Sequence, residues 1–555
     1  MTPTTPGTPT STPPPDAEVS PPAAAPTPPT AAGSGPSAAA PVPDYLTAYA
    51  AVQPDKPAII EDRPDGTVRT WSYADLNRRA NRLANALLGF GLRPRESVLW
   101  CGLNSHEVAL MGHAARKSGI TSVPMNYRLS PEEAAYVVDN SDALLIWTDT
   151  EYAELFQSIR AHTPKVREIV VFGGEAPPGT IAADDFVRGA SAAEPKPPGI
   201  EARTVIYTSG TTGKPKGAVR TGQGNPEQLK ALLGHVGYRP DDIYLTTGPL
   251  YHSGPGGFMG IAFLLGNTTV IQRRFDPEDW LRVLEKHRVT STFSAPTPIR
   301  RIVSLPEEVK ARYDRSSLRV MIANAAPWPF TLKQAYVKYF PPESLWEVYG
   351  STELGVNMVL EPKDQITKPG SCGKPAPMVE VRLLDDEGKE VTEPRVPGEI
   401  YVSSPSIFDT YHKAHDKYEA ETRGELHTVG DVAYFDEEGF YYICDRKKDM
   451  IISGGMNIYP AEIEAALEAH PSIYEAAVFG VPSEEWGESV HAVVVVAPGE
   501  ELDADAVIAF ARQHLAGYKC PRSVSFLDEL PKVPSGKILK RELREPYWKG
   551  RETRV

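Results

Sequence analysis

The eleven residues Tyr207-Thr208-Ser209-Gly210-Thr211-Thr212-Gly213-Lys214-Pro215-Lys216-Gly217 directly follow the strand-like pair Val205-Ile206. Glycines allow close backbone approach and positive φ, so successive N–H groups can point at one anion. The Ser/Thr hydroxyls and the ammonium groups of Lys214 and Lys216 add side-chain donors and charge. The chemistry is that of a cradle for polyphosphate. It is not a Walker A loop: the spacing from Gly210 to Gly213 is too short, and Pro215 stands where Ser or Thr should follow the lysine. A flexible linker would account for the composition, but not for this order of residues straight after a buried strand.

Further clusters follow along the chain. They are Pro249-Leu250-Tyr251-His252, Asn324-Ala325-Ala326-Pro327, Tyr349-Gly350-Ser351-Thr352-Glu353 and Val429-Gly430-Asp431. Beyond them lie Asp445-Arg446-Lys447-Lys448-Asp449, Ser453-Gly454-Gly455 and Pro531-Lys532-Val533-Pro534-Ser535-Gly536-Lys537. Taken with the phosphate loop, and in this order over residues 44–548, they resemble the ANL superfamily of adenylate-forming enzymes: acyl- and aryl-CoA synthetases, nonribosomal adenylation domains and beetle luciferases. The resemblance implies joining of a carboxylate to the α-phosphate of ATP with release of pyrophosphate, then acyl transfer from AMP to a thiol.

Both partners in that first step are anions, so the site must supply positive charge that strengthens as the transition state forms. The resemblance puts Lys537 there, bridging carboxylate and phosphate. It makes Glu353 the Mg2+ ligand, a hard carboxylate for a hard cation, and sets Thr352 on the α-phosphate. Thr208, Ser209, Gly210, Thr211, Thr212, Gly213, Lys214 and Lys216 would hold the ATP phosphates. Tyr349, next to Gly350, would stack on adenine, while the backbone of Asn324, Ala325 and Ala326 lines the base pocket. Asp431 would accept from the two ribose hydroxyls, supported by Arg446. Lys448 occupies the hinge position. A small C-terminal domain would present Lys537 for adenylation, then rotate so that Gly454 and Gly455 line a tunnel for CoA.

His252 falls where the family gates the acyl pocket and contacts the carboxylate. Residues 251–257 contain no Asp to pair with an α-amino group, which disfavours a free amino acid. Asn324 stands where many relatives have Gly and Trp328 where many have Leu, so a shorter or more polar pocket is expected, suited to an aryl, arylacrylic or medium-sized acid. Two other readings fit the same scaffold. One is a non-CoA second step, such as loading of a carrier protein or the ATP- and nitrite-dependent diazotisation found in specialised metabolism. The other is a non-catalytic acyl-adenylate-binding scaffold, against which the retention of Lys537, Glu353, Asp431 and the phosphate loop speaks.

The elements that must position these residues can be read from the same chain. Ser72 with Asp75 opens a helix carrying Leu76, Ala80, Leu83 and Leu87 on one face. A strand at 97–101, a helix at 106–117, a strand at 120–123, a helix capped by Ser130 with Pro131 in its first turn and a strand at 143–147 come next. Such alternation predicts an α/β fold with a parallel-rich sheet covered on both faces. Short antiparallel strands are expected at 379–384, 399–403, 432–435 and 440–444, the last two forming a hairpin in a small barrel-like subdomain. After Asp445 a compact α+β pattern follows, with a helix at 460–469, strands at 476–481 and 491–496 and a helix at 503–516. The expected division is a tail at 1–43, an AMP-binding domain at 44–445 and a mobile cap at 446–555.

The 555 residues carry 58 Lys+Arg against 72 Asp+Glu, a net charge of −14, which argues against a nucleic-acid binder. The charge is uneven, however: residues 519–555 hold 10 Lys/Arg and 5 Asp/Glu, a basic segment suited to the phosphates of CoA. No apolar run approaches a membrane span. Cys101, Cys372, Cys444 and Cys520 lie far apart without a CxxC pair, which fits reduced thiols in a cytoplasmic protein. Of the 54 prolines, 14 fall within residues 1–43, a stretch with no basic residue and no apolar core, so it is not expected to act as a secretory signal and is expected to be disordered or PPII-like. Pro13 to Pro15 offer a docking strip for a partner, though a passive tail is the plainer reading.

Overall fold

The computed structural model describes Met1 and residues 44–208, 215–222, 224–326, 328–454, 456–532 and 538–549. The expected tail, from residue 2 to 43, therefore lies outside the described residues, as do Ser209 to Lys214, Gly455 and Lys537. No helix among the described residues is long and apolar enough to cross a membrane.

Helix starts follow local chemistry. Ser72 and Asp75 form a reciprocal capping box at helix Tyr73–Gly89, and Ser130 and Glu133 do the same at helix Pro131–Asn140. Leu76, Ala80, Leu83 and Leu87 are buried along one face of the first, as their spacing predicts. Strands Ser97–Cys101, Thr121–Pro124, Ala143–Asp149 and Glu168–Phe172 pair in parallel at the centre of an eight-stranded sheet. Strand Arg203–Thr208 joins that sheet in parallel with Thr121–Pro124, then pairs antiparallel with Lys216–Thr221. The phosphate loop thus connects two strands, whereas a Walker A loop leads from strand to helix.

In a second, nine-stranded sheet Leu345–Ser351, Val320–Ala323, Ser291–Ser294 and Ile243–Thr246 lie side by side and parallel. Parallel strands of this kind bind ligands beyond their carboxyl ends. Those ends carry three of the motifs: Pro249 to His252, Asn324 to Ala326, and Thr352-Glu353. The apolar-rich strands are covered by helices such as Pro277–His287, whose Trp280 and Leu284 are fully buried. A third sheet of six strands contains the antiparallel pair Asp431–Phe435 and Tyr441–Arg446, the hairpin expected from sequence.

From Ile451 onward the chain builds a separate five-stranded sheet around the long hairpin Ile473–Ser483 and Gly487–Val496. Helices Pro460–Leu467 and Ala504–His514 cover one face, with Ile451, Ile463, Val478, Val494 and Val507 buried between. Strands and helices agree with the α/β reading, with the C-terminal part α+β.

Asp62, at the end of strand Pro57–Asp62, ties helix Pro277–His287 to the nine-stranded sheet. Its carboxylate meets Arg282 at 2.8 Å, Lys286 at 2.6 Å and His287 at 2.7 Å. Burial alone would raise its pKa, but these three partners outweigh it and hold the carboxyl down at about 2. A depressed folded value means the stabilisation is complete above the ordinary carboxyl value and is lost as pH falls through about 2. Chemical denaturation from pH 5 to 2 is expected to show stability dropping across this acid window (roughly one to two units wide), with a shallower slope in Asp62→Asn. An identical slope in the variant would remove Asp62 from this role.

Candidate active site

The loop that ends in His252 is held from several sides. Asn104, itself buried, accepts from Leu250 N at 2.9 Å and donates to the carbonyls of Gly248 and Gln272 at 2.9 and 3.2 Å. The indole of Trp280 donates to Thr247 Oγ1 at 2.8 Å. His252 then caps helix Ser253–Leu264, its Nδ1 accepting from Gly254 N at 3.4 Å. A Cβ at Gly254 would come within 2.4 Å of the Phe293 ring, so glycine is required for the helix start to lie against that aromatic. Phe293 in turn stacks on Phe258 at 5.3 Å between centroids.

Ser253 links this loop to the next motif through a 2.7 Å hydroxyl–hydroxyl bond to Thr352. Glu353 is buried, and its Oε1 accepts from Thr208 Oγ1 at 3.2 Å and from the Tyr411 hydroxyl at 3.3 Å. The last residue of the strand that enters the phosphate loop therefore touches the expected metal ligand. Lys216, on the returning strand, lies 5.6 Å from the centroid of the Tyr411 ring. Burial, with the neighbouring Lys417 charge, keeps the Lys216 ammonium below the usual lysine range.

Arg220 locks these pieces together. It donates to the carbonyls of Thr352 at 2.8 Å, Ser406 at 2.9 Å and Glu353 at 3.3 Å. Burial pulls its pKa below the usual arginine value, while Glu353 and Asp409 act in the opposite sense. Neither Arg220 nor Tyr411 was among the residues the motifs singled out. One signal existed: Arg220 is four residues after Lys216 in a strand, so both side chains share a face.

A second group lies around the same strand, Leu345–Ser351. The Tyr349 hydroxyl donates to Asp431 Oδ2 at 2.5 Å, and Arg446 Nε lies 3.2 Å from Asp431 Oδ1. Burial and the adjacent Asp431 carboxylate push the Tyr349 phenol well above its ordinary value, so it stays a donor. Burial disfavours the Arg446 charge, but Asp431 prevails and its pKa rises. A carboxylate has about four acceptor sites, so Asp431 keeps capacity for further donors. The expected departures from the family have local uses: Asn324 donates its amide N to the Val348 carbonyl at 2.5 Å, and Trp328 packs in the core beside Tyr336.

Ala325 sits in the left-handed region, φ 72°. That conformation costs a non-glycine residue about 1–2 kcal/mol and is retained where the surroundings impose it. Ala325→Gly is expected to raise stability by about 1 kcal/mol while loosening this loop and raising the KM for ATP. Thermal denaturation alongside ATP titration checks it; unchanged stability would mean the strain is absent.

The structure thus brings Thr208, Lys216, Glu353, Thr352 and the His252 loop together, and sets Asn324, Tyr349, Asp431 and Arg446 beside them along one strand. Gly350 lies within that strand and Ala326 follows Ala325 in its loop. Lys448 lies half-buried in the turn between Tyr441–Arg446 and Ile451–Ser453. Gly454 has φ 57°, and a Cβ there would strike the Trp486 ring at 2.8 Å. Four of the ten C-terminal basic residues pair with neighbouring acids: Lys519 with Glu462, Lys532 with Glu475, Lys540 with Glu464 and Arg544 with Asp449.

Residues 46–412 match the family model described as AMP-binding enzyme, and residues 462–537 match that of the AMP-binding enzyme C-terminal domain. A feruloyl-CoA synthase from Amycolatopsis sp is 37% identical over 490 residues, spanning 87% of this chain and 95% of the relative. A fatty acid–[acyl-carrier-protein] ligase from Streptomyces coeruleorubidus is 33% identical over 518 residues, spanning 90% and 95%. Among solved structures, an anthranilate CoA ligase in complex with anthranoyl-AMP superposes with a TM-score of 0.83 at 27% identity, covering 91% of this chain and 96% of that one. The chain belongs to the AMP-binding enzyme family, in the acyl- and aryl-CoA synthetase branch of the ANL superfamily.

Proposed function

We propose that this chain activates an aryl or arylacrylic acid with ATP, releases pyrophosphate, and passes the acyl group from AMP to CoA. The observation that carries the reading is the junction at Glu353, where the strand entering the phosphate loop (through Thr208) meets the carboxyl-end loop that also bonds Ser253, next to His252. Phosphate donors and the gate for the acid therefore share one edge. The Phe293–Phe258 stack is buried behind Gly254, next to His252, and the similarity to a feruloyl-CoA synthase and an anthranilate CoA ligase supports an aryl substrate.

The donor set around Glu353 fits Mg2+: one buried carboxylate flanked by the hydroxyls of Thr208 and Tyr411, all hard oxygens. When bound, Mg2+ would neutralise phosphate charge. The chain's own part is to fix the carboxylate through Arg220, which pins the backbone on both sides of it. Asp431, braced by Tyr349 and Arg446, offers acceptors for the ribose hydroxyls, and the backbone of Asn324 to Ala326 offers a wall for adenine. We assign Lys537 to the bridging charge in adenylation, with the large domain at 44–445, the cap at 446–555 and Lys448 as hinge. The four cysteines are free thiols, which supports a reducing, cytoplasmic setting.

The test is acid-dependent ATP–pyrophosphate exchange with cinnamate, ferulate, benzoate, 3-hydroxybenzoate, palmitate and nitrite, each with and without CoA. Exchange with aryl acids in the absence of CoA, and thioester only in its presence, is expected. Equal turnover of palmitate and cinnamate would overturn the aryl assignment. Nitrite-dependent turnover that ignores CoA would favour the diazotising relatives, and silence across the panel the scaffold reading.

A further inference from the structure

Helix Pro296–Val303 begins just beyond the carboxyl end of strand Ser291–Ser294, beside the site, and sends Arg300 outward to the C-terminal domain. Arg300 Nη1 donates to the Tyr474 carbonyl at 2.6 Å and lies 3.5 Å from Glu475 Oε1; Nη2 lies 3.8 Å from Glu468 Oε2. The guanidinium also sits 5.2 Å over the Tyr474 ring. All three charged side chains are mostly shielded from solvent, with Arg300 and Glu468 at 16% exposure and Glu475 at 10%. Burial pushes the Glu468 carboxyl up to about 7, and Arg300 is the charge that opposes this.

Glu475 has a second partner. Lys532 donates to its two oxygens at 2.6 and 2.5 Å. Lys532 is five residues before Lys537, so the anchor of the lysine-bearing segment and the contact with the large domain share one carboxylate. The other end of the C-terminal domain faces away: in the hairpin Ile451–Ser453 and Met456–Ile458, Ile452 is 48% exposed and Met456 41%. The described arrangement docks the Lys532 side on the large domain and leaves the Gly454 hairpin in solvent.

We propose that Arg300 is a positioning residue: a latch that holds the C-terminal domain in the orientation used for adenylation, and that must open before acyl transfer. This rests on the two-step reading above. Arg300 touches no substrate in it; it acts by favouring one of two domain orientations through a fork of contacts that only one of them offers. Loss of such a coupled contact lowers the population of that orientation, and each loss of about 1.4 kcal/mol is a factor of ten.

Full-length Arg300→Ala, Arg300→Lys and Glu468→Gln test it in two separate assays. The first follows acyl-adenylate formation from ATP with the panel acids, ferulate included. The second follows thioester formation from CoA and chemically made feruloyl adenylate. Arg300→Ala is expected to lose about tenfold in the first and to be unchanged or faster in the second. Arg300→Lys, which keeps the charge without the fork, should fall between Ala and the parent, and Glu468→Gln should shift the same balance more weakly. Equal losses in both assays, no loss in either, or a greater loss in transfer would overturn the latch. A parent protein active in both steps with a variant that loses both equally refutes Arg300 alone; a parent silent with every acid refutes the two-step reading and the latch with it.

Discussion

Lys537→Ala is expected to lower acid-dependent pyrophosphate release by about 10²–10³-fold, the size seen when one preorganised donor to a developing charge is removed. Thioester formation from synthetic acyl adenylate should change little. The reason is electrostatic. A carboxylate attacking an α-phosphate brings two anions together, and the neutralising charge is needed most at the transition state. Among the described residues, Arg220 is committed to three backbone carbonyls and Arg446 pairs with Asp431, while Lys216 belongs to the phosphate-binding strand beside Tyr411. Once acyl adenylate exists, that demand is gone. Equal loss of both steps would contradict this division of labour. Lys448→Pro gives the complement, sparing adenylation while slowing transfer, because the turn it occupies joins the two domains.

Glu353→Gln should be the other large effect. The amide oxygen can still accept from Thr208 and Tyr411, and Arg220 still grips the carbonyls of Thr352 and Glu353, so the fold around it is kept. What disappears is one buried negative charge. Adenylation is expected to fall by about 10- to 10²-fold, the range set by the roughly 1.5–3 kcal/mol of a hydrogen bond to a charged group, with the Mg2+ concentration for half-maximal rate rising in parallel. An unchanged Mg2+ dependence at reduced rate would make Glu353 a structural acceptor for the two hydroxyls and no more. Far-ultraviolet circular dichroism and the denaturation midpoint separate either result from misfolding.

The reading from sequence succeeded where the signal was local. The capping boxes at Ser72/Asp75 and Ser130/Glu133, the alternation of strands and helices and the hairpin across 436–440 each depend on residues a few positions apart. The motifs Pro249 to His252, Asn324 to Ala326 and Thr352-Glu353 each follow a parallel strand, and parallel strands deliver their following loops to a common edge. What stayed hidden was long-range. Asn104 braces Leu250 from 146 residues away, and Arg220 reaches Thr352 across 132. Each is a single polar residue whose neighbours in sequence give no hint of its partner. Arg300 is of the same kind: in a helix with Ile299 and Ile302 buried on its inner face, it reads as an ordinary solvated charge until Tyr474 is brought against it. The basic C-terminal segment, read from sequence as suited to an anion, also has four of its ten Lys/Arg in ion pairs within the fold, partners that sequence could not show.

The most direct measurement of the central claim is the nucleotide left behind when the protein turns over an aryl acid with ATP in the absence of CoA. The account predicts AMP-linked product held on the protein with one pyrophosphate released per acyl adenylate, and free AMP with thioester once CoA is added. ADP and inorganic phosphate as the products would place the chemistry at the γ-phosphate and contradict it.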